Sequence, residues 1–186
     1  MIITEMSEKK VSEDRLNTVD PSFRDPGRPP LNYNIHGRPV FASVTVYLGE
    51  NEKVIGDGGA LLWMDGDVAT DAFCPGGCCS ACSRKCSGES CFMNRYTGPG
   101  YATFSFDTPG DILPFAVTPN HGWILTKKAF IAGTENCDIR SRFAGCCTAG
   151  FAGESLFFTK VTTKEPMGMF FAGGFGMIIV SRVIYD

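Results

Sequence analysis

Six of the nine cysteines lie in one stretch, from Cys74 to Cys91, and thiolates at close spacing are what a structural zinc ion requires. The candidate ligands are Cys79, Cys82, Cys86 and Cys91, with Cys74 and Cys78 to spare. Structural zinc sites usually show two short ligand pairs separated by a longer spacer, whereas these six thiols follow one another with no dominant pairing. We therefore predict a mostly reduced, metal-free loop at residues 74–86, with zinc binding as the alternative.

Two other uses of the cysteine cluster stay open. S-acylation of Cys78, Cys79 or Cys82 in a eukaryotic host would attach the chain to a membrane. The remaining use is redox chemistry or disulfide formation, which a reducing compartment disfavours. The plain interpretation, small side chains in a glycine-rich loop, needs no ligand at all.

The rest of the chain shows no catalytic constellation. It has two histidines, His36 and His121, and neither stands beside a cysteine in a nucleophile motif, although a distant Cys–His pair stays open. No G-x-S-x-G, Walker loop or H-E-x-x-H is present, and "GDGGAL" lacks the third glycine of a dinucleotide fingerprint. We predict a protein that is not an enzyme and binds no cofactor.

One acidic tripeptide occurs twice and is the best candidate for a structural motif. Its residues are Gly88, Glu89 and Ser90 in the first copy and Gly153, Glu154 and Ser155 in the second. The two carboxylates could serve as catalytic acids, but a duplicated position favours a structural role. We expect each carboxylate to accept hydrogen bonds from backbone N–H groups where a strand begins.

Charge and targeting signals limit the partners and the compartment. The net charge of −3 gives no basic surface for nucleic acid, and the N-terminus carries Glu5, Glu8, Glu13 and Asp14, unlike a mitochondrial presequence. The longest apolar run, residues 167–180, is shorter than the ~20 residues of a membrane-spanning helix. These features predict a cytoplasmic or peripheral protein, with membrane contact left open.

Short strands joined by glycine-rich turns dominate the sequence. The chain has 22 glycines and 15 phenylalanines, and "VFASVTVYL" and "YATFSFD" alternate between two faces with the period of a strand. Residues 1–33 form a polar, proline-rich arm that we expect to be largely irregular, and residues 34–186 form one domain. The fold class is predicted to be all-β, with Trp63 and Trp123 as core or interface aromatics.

The β domain contains an internal repeat. "SGESCFMNRYTGPGYATFSF" at 87–106 echoes "AGESLFFTKVTTKEPMGMFF" at 152–171. Upstream, "GALLWMDGDVATDA" corresponds roughly to "KAFIAGTENCDIRS". The loops that link the parts of the repeat, 74–87 and 143–152, both carry glycine and cysteine, so the cysteine cluster occupies a linking loop.

These same segments, with "PGDILPFAV" and "FAGESLFF", resemble a mitochondrial-biogenesis family named for altered inheritance of mitochondria. The resemblance runs from about residue 33 to the C-terminus. It implies a fold like that of the tryptophan RNA-binding attenuator protein, with repeated strands in two sheets, a short double-stranded β-helix. It also implies a role in mitochondrial organisation and, through the fold alone, RNA binding by a ring as a weaker alternative.

The sequence departs from that family at two places. Relatives have a glycine- and leucine-rich loop where this chain has the cysteine cluster, and they continue into a third repeat after "GFGMIIVSRV". Either the chain is a truncated gene product, or another subunit completes the sheet. An uncovered edge there would be a template for aggregation, so we expect self-association or a partner subunit to cover it. The leading hypothesis is a non-enzymatic oligomeric scaffold or binding module. The alternative is a zinc-binding or S-acylated, membrane-associated variant.

Overall fold

The computed structural model describes residues 31–74, 92–143 and 157–175, and every regular element in these ranges is a β-strand. The all-β prediction is therefore confirmed. The strands are β1 (Asn32–His36), β2 (Ser43–Leu48), β3 (Lys53–Asp57), β4 (Leu61–Gly66), β5 (Ala69–Phe73), β6 (Met93–Thr97), β7 (Gly100–Phe104), β8 (Asp111–Val117), β9 (Trp123–Leu125), β10 (Phe130–Thr134), β11 (Cys137–Phe143), β12 (Phe157–Thr163) and β13 (Gly168–Gly174).

These strands form three antiparallel sheets rather than the two that the family resemblance implied. The first sheet has the order β1-β2-β7-β4, the second β5-β6-β3-β10-β13-β8, and the third β11-β12-β9. Two hydrophobic clusters separate them. One cluster joins the first sheet to one face of the second, and the other joins the opposite face of the second sheet to the third. The second sheet is thus the middle of three layers.

Alternation along each strand explains the layers. In β2, Val44, Val46 and Leu48 are buried in the first cluster, while Tyr47 is exposed on the other face, which agrees with the predicted alternation between two faces. The second sheet is apolar on both faces because it packs on both sides. In β13, Phe171 enters the first cluster and its neighbour Phe170 enters the second.

The starts of β1 and β2 differ from the boundaries that the sequence predicted. β1 begins at Asn32, at the edge of the predicted irregular arm. Val40, predicted to share a strand face with Val44 and Val46, is 51% exposed, because the regular part of β2 begins only at Ser43. Phe41 forms an isolated bridge with Gly110 instead.

Strands β2 to β7 and strands β8 to β13 pair in the same pattern. β7 lies between β2 and β4, and β13 lies between β8 and β10. β6 lies between β5 and β3, and β12 lies between β11 and β9. The first set spans the first and middle sheets, whereas the second set spans the middle and third sheets. The two sets meet where β3 pairs with β10.

Candidate functional site

The residues that the sequence singled out lie almost entirely outside the described ranges. This applies to the zinc candidates Cys79, Cys82, Cys86 and Cys91, and to both tripeptides, Gly88, Glu89, Ser90, Gly153, Glu154 and Ser155. Cys74 is the one described member of the cluster, a free and half-buried thiol directly after β5. Their predicted roles therefore stay predictions.

The two histidines are separated by the layers. His36 ends β1 in the first sheet, whereas His121 precedes β9 in the third sheet and packs edge-on against Trp123, with ring centroids 5.0 Å apart. Among the residues that the structure describes, no three His, Cys, Asp or Glu side chains are grouped closely enough to hold a metal ion. Within the same residues no helix could span a membrane.

The most unusual surface of the described chain is one edge of the first sheet. β4 is the last strand of that sheet and pairs with β7 on one side. Leu62, Trp63 and Met64 stand in this strand at 60%, 49% and 42% exposure. Three consecutive large apolar side chains on a sheet edge are uncommon, since soluble proteins blunt their edges with charges or cover them. We call these three residues the β4 edge.

Aromatic residues on the outer face of the first sheet adjoin the β4 edge. Tyr101 of β7 packs edge-on against Trp63 at 5.3 Å between ring centroids, and Tyr47 of β2 lies on its other side at 6.1 Å. The Tyr101 hydroxyl donates a hydrogen bond of 2.8 Å to Asp65, which lowers the pKa of that carboxyl. The rings touch one another directly, so they form a packed row and not an open cage around a ligand.

The third sheet also has an exposed apolar residue in its edge strand. β9 pairs with β12 on one side and is the last strand of its sheet. Its Ile124 is 39% exposed. The neighbouring Trp123 is instead held in place, since its indole N–H donates 2.7 Å to the Ala116 carbonyl and its ring packs on Phe115. Trp123 is thus a partly buried aromatic packed against the second cluster, while Trp63 lies at the surface.

Two arginine side chains, Arg38 and Arg95, form ion pairs and are candidates for polar sites. Arg38, in the β1–β2 connection, donates to both carboxylate oxygens of the buried Asp111 at the start of β8. In the middle sheet Arg95 lies 2.8 Å from Glu135 and 3.4 Å from Asp71, with Phe73 beneath its guanidinium. The Arg95 Nε contact to Glu135 is an ion pair off the hydrogen-bonding direction. Both groups link strands, or the connections between strands, to one another.

Sequence comparison assigns this architecture to a family. The family model "Mitochondrial biogenesis AIM24" matches residues 33–184, which is most of the sequence. The chain belongs to the AIM24 family. This confirms the resemblance drawn from the sequence motifs and links the chain to mitochondrial biogenesis. Among curated proteins, none matches the chain.

A crystal structure of a Streptococcus pyogenes protein has a similar fold. The two chains share 19% sequence identity with a TM-score of 0.58, and the match covers 78% of this AIM24-family chain. The chain spans 65% of the length of that bacterial protein. At this identity the likeness concerns the fold alone.

Sequence reasoning missed the β4 edge as a surface. The signal was present, because "LLWM" places four large apolar residues in succession where a half-buried strand would alternate. That run was assigned to the internal repeat, and Trp63 to the core or an interface, without a sheet edge being identified. A strand with apolar residues in succession is buried on both faces or is an edge that needs covering, and the topology distinguishes the two.

Proposed function

We propose that this AIM24-family chain is a non-enzymatic β scaffold that assembles with copies of itself and serves mitochondrial organisation. The β4 edge carries the proposal, because exposed Leu62, Trp63 and Met64 are unfavourable in a lone soluble chain and favourable at a contact between chains. The family supplies the link to mitochondria.

The matched pairing patterns of β2–β7 and β8–β13 support the scaffold interpretation. They agree with the internal repeat in the sequence, and repeated units that stack through strand edges are typical of proteins that present extended binding surfaces. In such proteins each unit buries its apolar surface against a neighbour. A terminal unit without a neighbour exposes that surface, as the β4 edge does.

Native mass spectrometry of the full chain, purified without added metal, tests the proposal. The expected spectrum shows assemblies of several chains at micromolar concentration, and one measurement reports the subunit number, bound metal and any acyl mass together. A chain that remains monomeric at every concentration in both native spectra and light scattering would overturn the scaffold proposal. Assemblies that require stoichiometric zinc would favour the metal-binding alternative.

A further inference from the structure

The junction between β3 and β10 shows how the two halves of the chain join. We refer to β2–β7 as the first half and to β8–β13 as the second half. β3 is the outer strand of the β5-β6-β3 group, and β10 is the outer strand of the β8-β13-β10 group. These two strands pair antiparallel, with Gly133 opposite Ile55 and Ala132 opposite Gly56. One half thus adds to the other through two strand edges.

Each of the two strands in this junction has a counterpart in the other half. Among the described strands, each counterpart has a neighbour on one side only. By pairing order, β4 is the counterpart of β10, and β9 is the counterpart of β3. β10 pairs on both sides, with β13 and β3, whereas β4 pairs only with β7 among the described strands. Likewise β3 pairs with β6 and β10, whereas β12 is the one partner of β9 within the described ranges.

A shared bulge fixes which residues of β4 and β10 correspond. The β4·β7 ladder shifts register between Leu61 and Trp63, and the β10·β13 ladder shifts between Phe130 and Ala132. Leu62 therefore corresponds to Ile131, the extra residue of each bulge. A bulge at a sheet edge can turn the strand away from pairing. The bulge in β10 does not prevent pairing, because β10 still pairs with β3. The same bulge in β4 is therefore compatible with pairing to a further strand.

The correspondence of β3 and β9 follows from their partners. Ile55 pairs with Arg95 in β6, and Ile124 pairs with Lys160 in β12. Arg95 and Lys160 lie at equivalent positions of the repeated segments, each three residues after the phenylalanines Phe92 and Phe157. Ile124 is therefore the counterpart of Ile55.

Burial separates the paired edges from the unpaired ones. Ile55 and Ile131 are 2% and 0% exposed inside the molecule. Their counterparts Ile124 and Leu62 are 39% and 60% exposed. The buried isoleucines on the two strands of the internal junction thus have apolar counterparts on β9 and β4, where these side chains are exposed.

We propose that β9 of one copy of the chain pairs with β4 of the next copy, in the way that β3 pairs with β10 within the chain. This inference rests on the proposed self-association and names its contact. By the register of the internal junction, Met64 stands opposite Ile124 of the next copy and Trp63 opposite Leu125 of the next copy. The contact is head-to-tail, so copies close into a ring or continue as a filament.

Pairing of two β4 strands about a two-fold axis is the competing arrangement. It would cover the β4 edge and leave Ile124 exposed, whereas head-to-tail pairing covers both edges at once. It also has no precedent within the chain, because β10 pairs with β3 and not with a second strand of its own kind. The internal junction therefore favours β9 as the partner.

Charge substitutions at the two opposed positions test the contact. Met64→Lys and Ile124→Glu each place a charge in an apolar strand pair, and each should shift full-length protein from assembly to monomer in native mass spectra and light scattering. The double variant Met64→Lys/Ile124→Glu places opposite charges across the contact and should restore assembly at least in part, since such cross-strand pairs attract. The matched Met64→Lys/Ile124→Lys variant opposes like charges and should remain monomeric.

The controls separate this inference from the scaffold proposal. Val40→Lys changes an exposed apolar residue away from both edges and should leave assembly intact, and circular dichroism checks that every variant keeps its strands. If the wild-type chain assembles and both single variants assemble equally well, the β9–β4 contact is wrong while the scaffold proposal survives. The contact is also wrong if only Met64→Lys disperses the assembly, or if the like-charged double variant assembles as well as the opposite-charged one. A monomeric wild-type chain overturns both proposals.

Discussion

Arg38 binds Asp111 through two parallel hydrogen bonds, from Nε at 2.8 Å and from a terminal nitrogen at 2.9 Å. The pair joins the β1–β2 connection in the first sheet to the start of β8 in the middle sheet. The hydrogen bond to Asp111 raises the pKa of the Arg38 guanidinium, and Asp111 also accepts a hydrogen bond from the Ile112 N–H. A planar guanidinium on a buried carboxylate fixes both distance and direction between two layers.

Arg38→Met should destabilise the chain because it leaves the buried Asp111 carboxylate without its cation. The expected loss in the free energy of unfolding is about 3 kcal/mol, at the low end for a broken buried pair since Arg38 reaches solvent. Urea unfolding followed by circular dichroism measures it.

Two further variants make this prediction specific. Arg38→Met/Asp111→Asn removes both charges and should recover part of the loss. Arg140→Met removes an exposed arginine that also pairs with an aspartate, Asp138, and should cost much less stability than Arg38→Met because solvent screens that pair. Equal losses of stability in the Arg38 and Arg140 variants would contradict a specific stabilising role for the buried Arg38–Asp111 pair.

Cys137 should resist alkylation in the folded chain. Burial raises the pKa of its thiol to about 11, although its contact with Thr134 acts in the opposite direction. The thiolate is the reactive form, so near neutral pH iodoacetamide should modify Cys137 at least tenfold more slowly in native protein than in urea. Peptide mass spectrometry gives both rates, and equal rates would contradict the burial of this side chain.

The same thiol predicts the direction of a pH dependence. In the unfolded chain Cys137 loses its proton near the ordinary thiol pKa, whereas in the folded chain it stays protonated to about pH 11. Its contribution to stability is therefore complete below the ordinary pKa and is lost as pH rises from there through 11. Cys137→Ala should flatten the fall in stability over that range in urea titrations at successive pH values.

The cysteine cluster is predicted to need no metal for folding. Replacing the candidate ligands together, as Cys79→Ser, Cys82→Ser, Cys86→Ser and Cys91→Ser, should leave the thermal midpoint unchanged within error. Four thiolates around zinc would instead contribute folding free energy directly. A large drop in the midpoint, together with stoichiometric zinc in wild-type protein, would establish the metal site.

The duplicated glutamates are predicted to be structural. Glu89→Gln and Glu154→Gln should each cost on the order of 1–3 kcal/mol of stability if the carboxylates are buried on backbone N–H groups. Glu50→Gln, at an exposed turn position, is the matched control and should have no measurable effect. Similar small effects in all three variants would contradict the structural role.

Alternating apolar residues were enough to predict the fold class and which residues of a strand share a face. Val44, Val46 and Leu48 follow the two-residue period of a strand, which places all three side chains on one face, and that face is buried. The family also followed from the sequence, because its motifs are specific in combination. The duplicated segment at 87–106 and 152–171 was also visible in the sequence, because several of its residues recur in the same order.

Tertiary structure alone decided which strands lie at the edges. Met64 and its counterpart Gly133 occupy equivalent positions, yet of these two strands only that of Gly133 has a neighbour on both sides in the part of the chain that the structure describes. Likewise Arg38 and Asp111 are 73 positions apart in the sequence, and no local signal indicates that their side chains meet. Strand order is set by contacts between residues far apart in the chain, whereas periodicity reports only the neighbours along one strand.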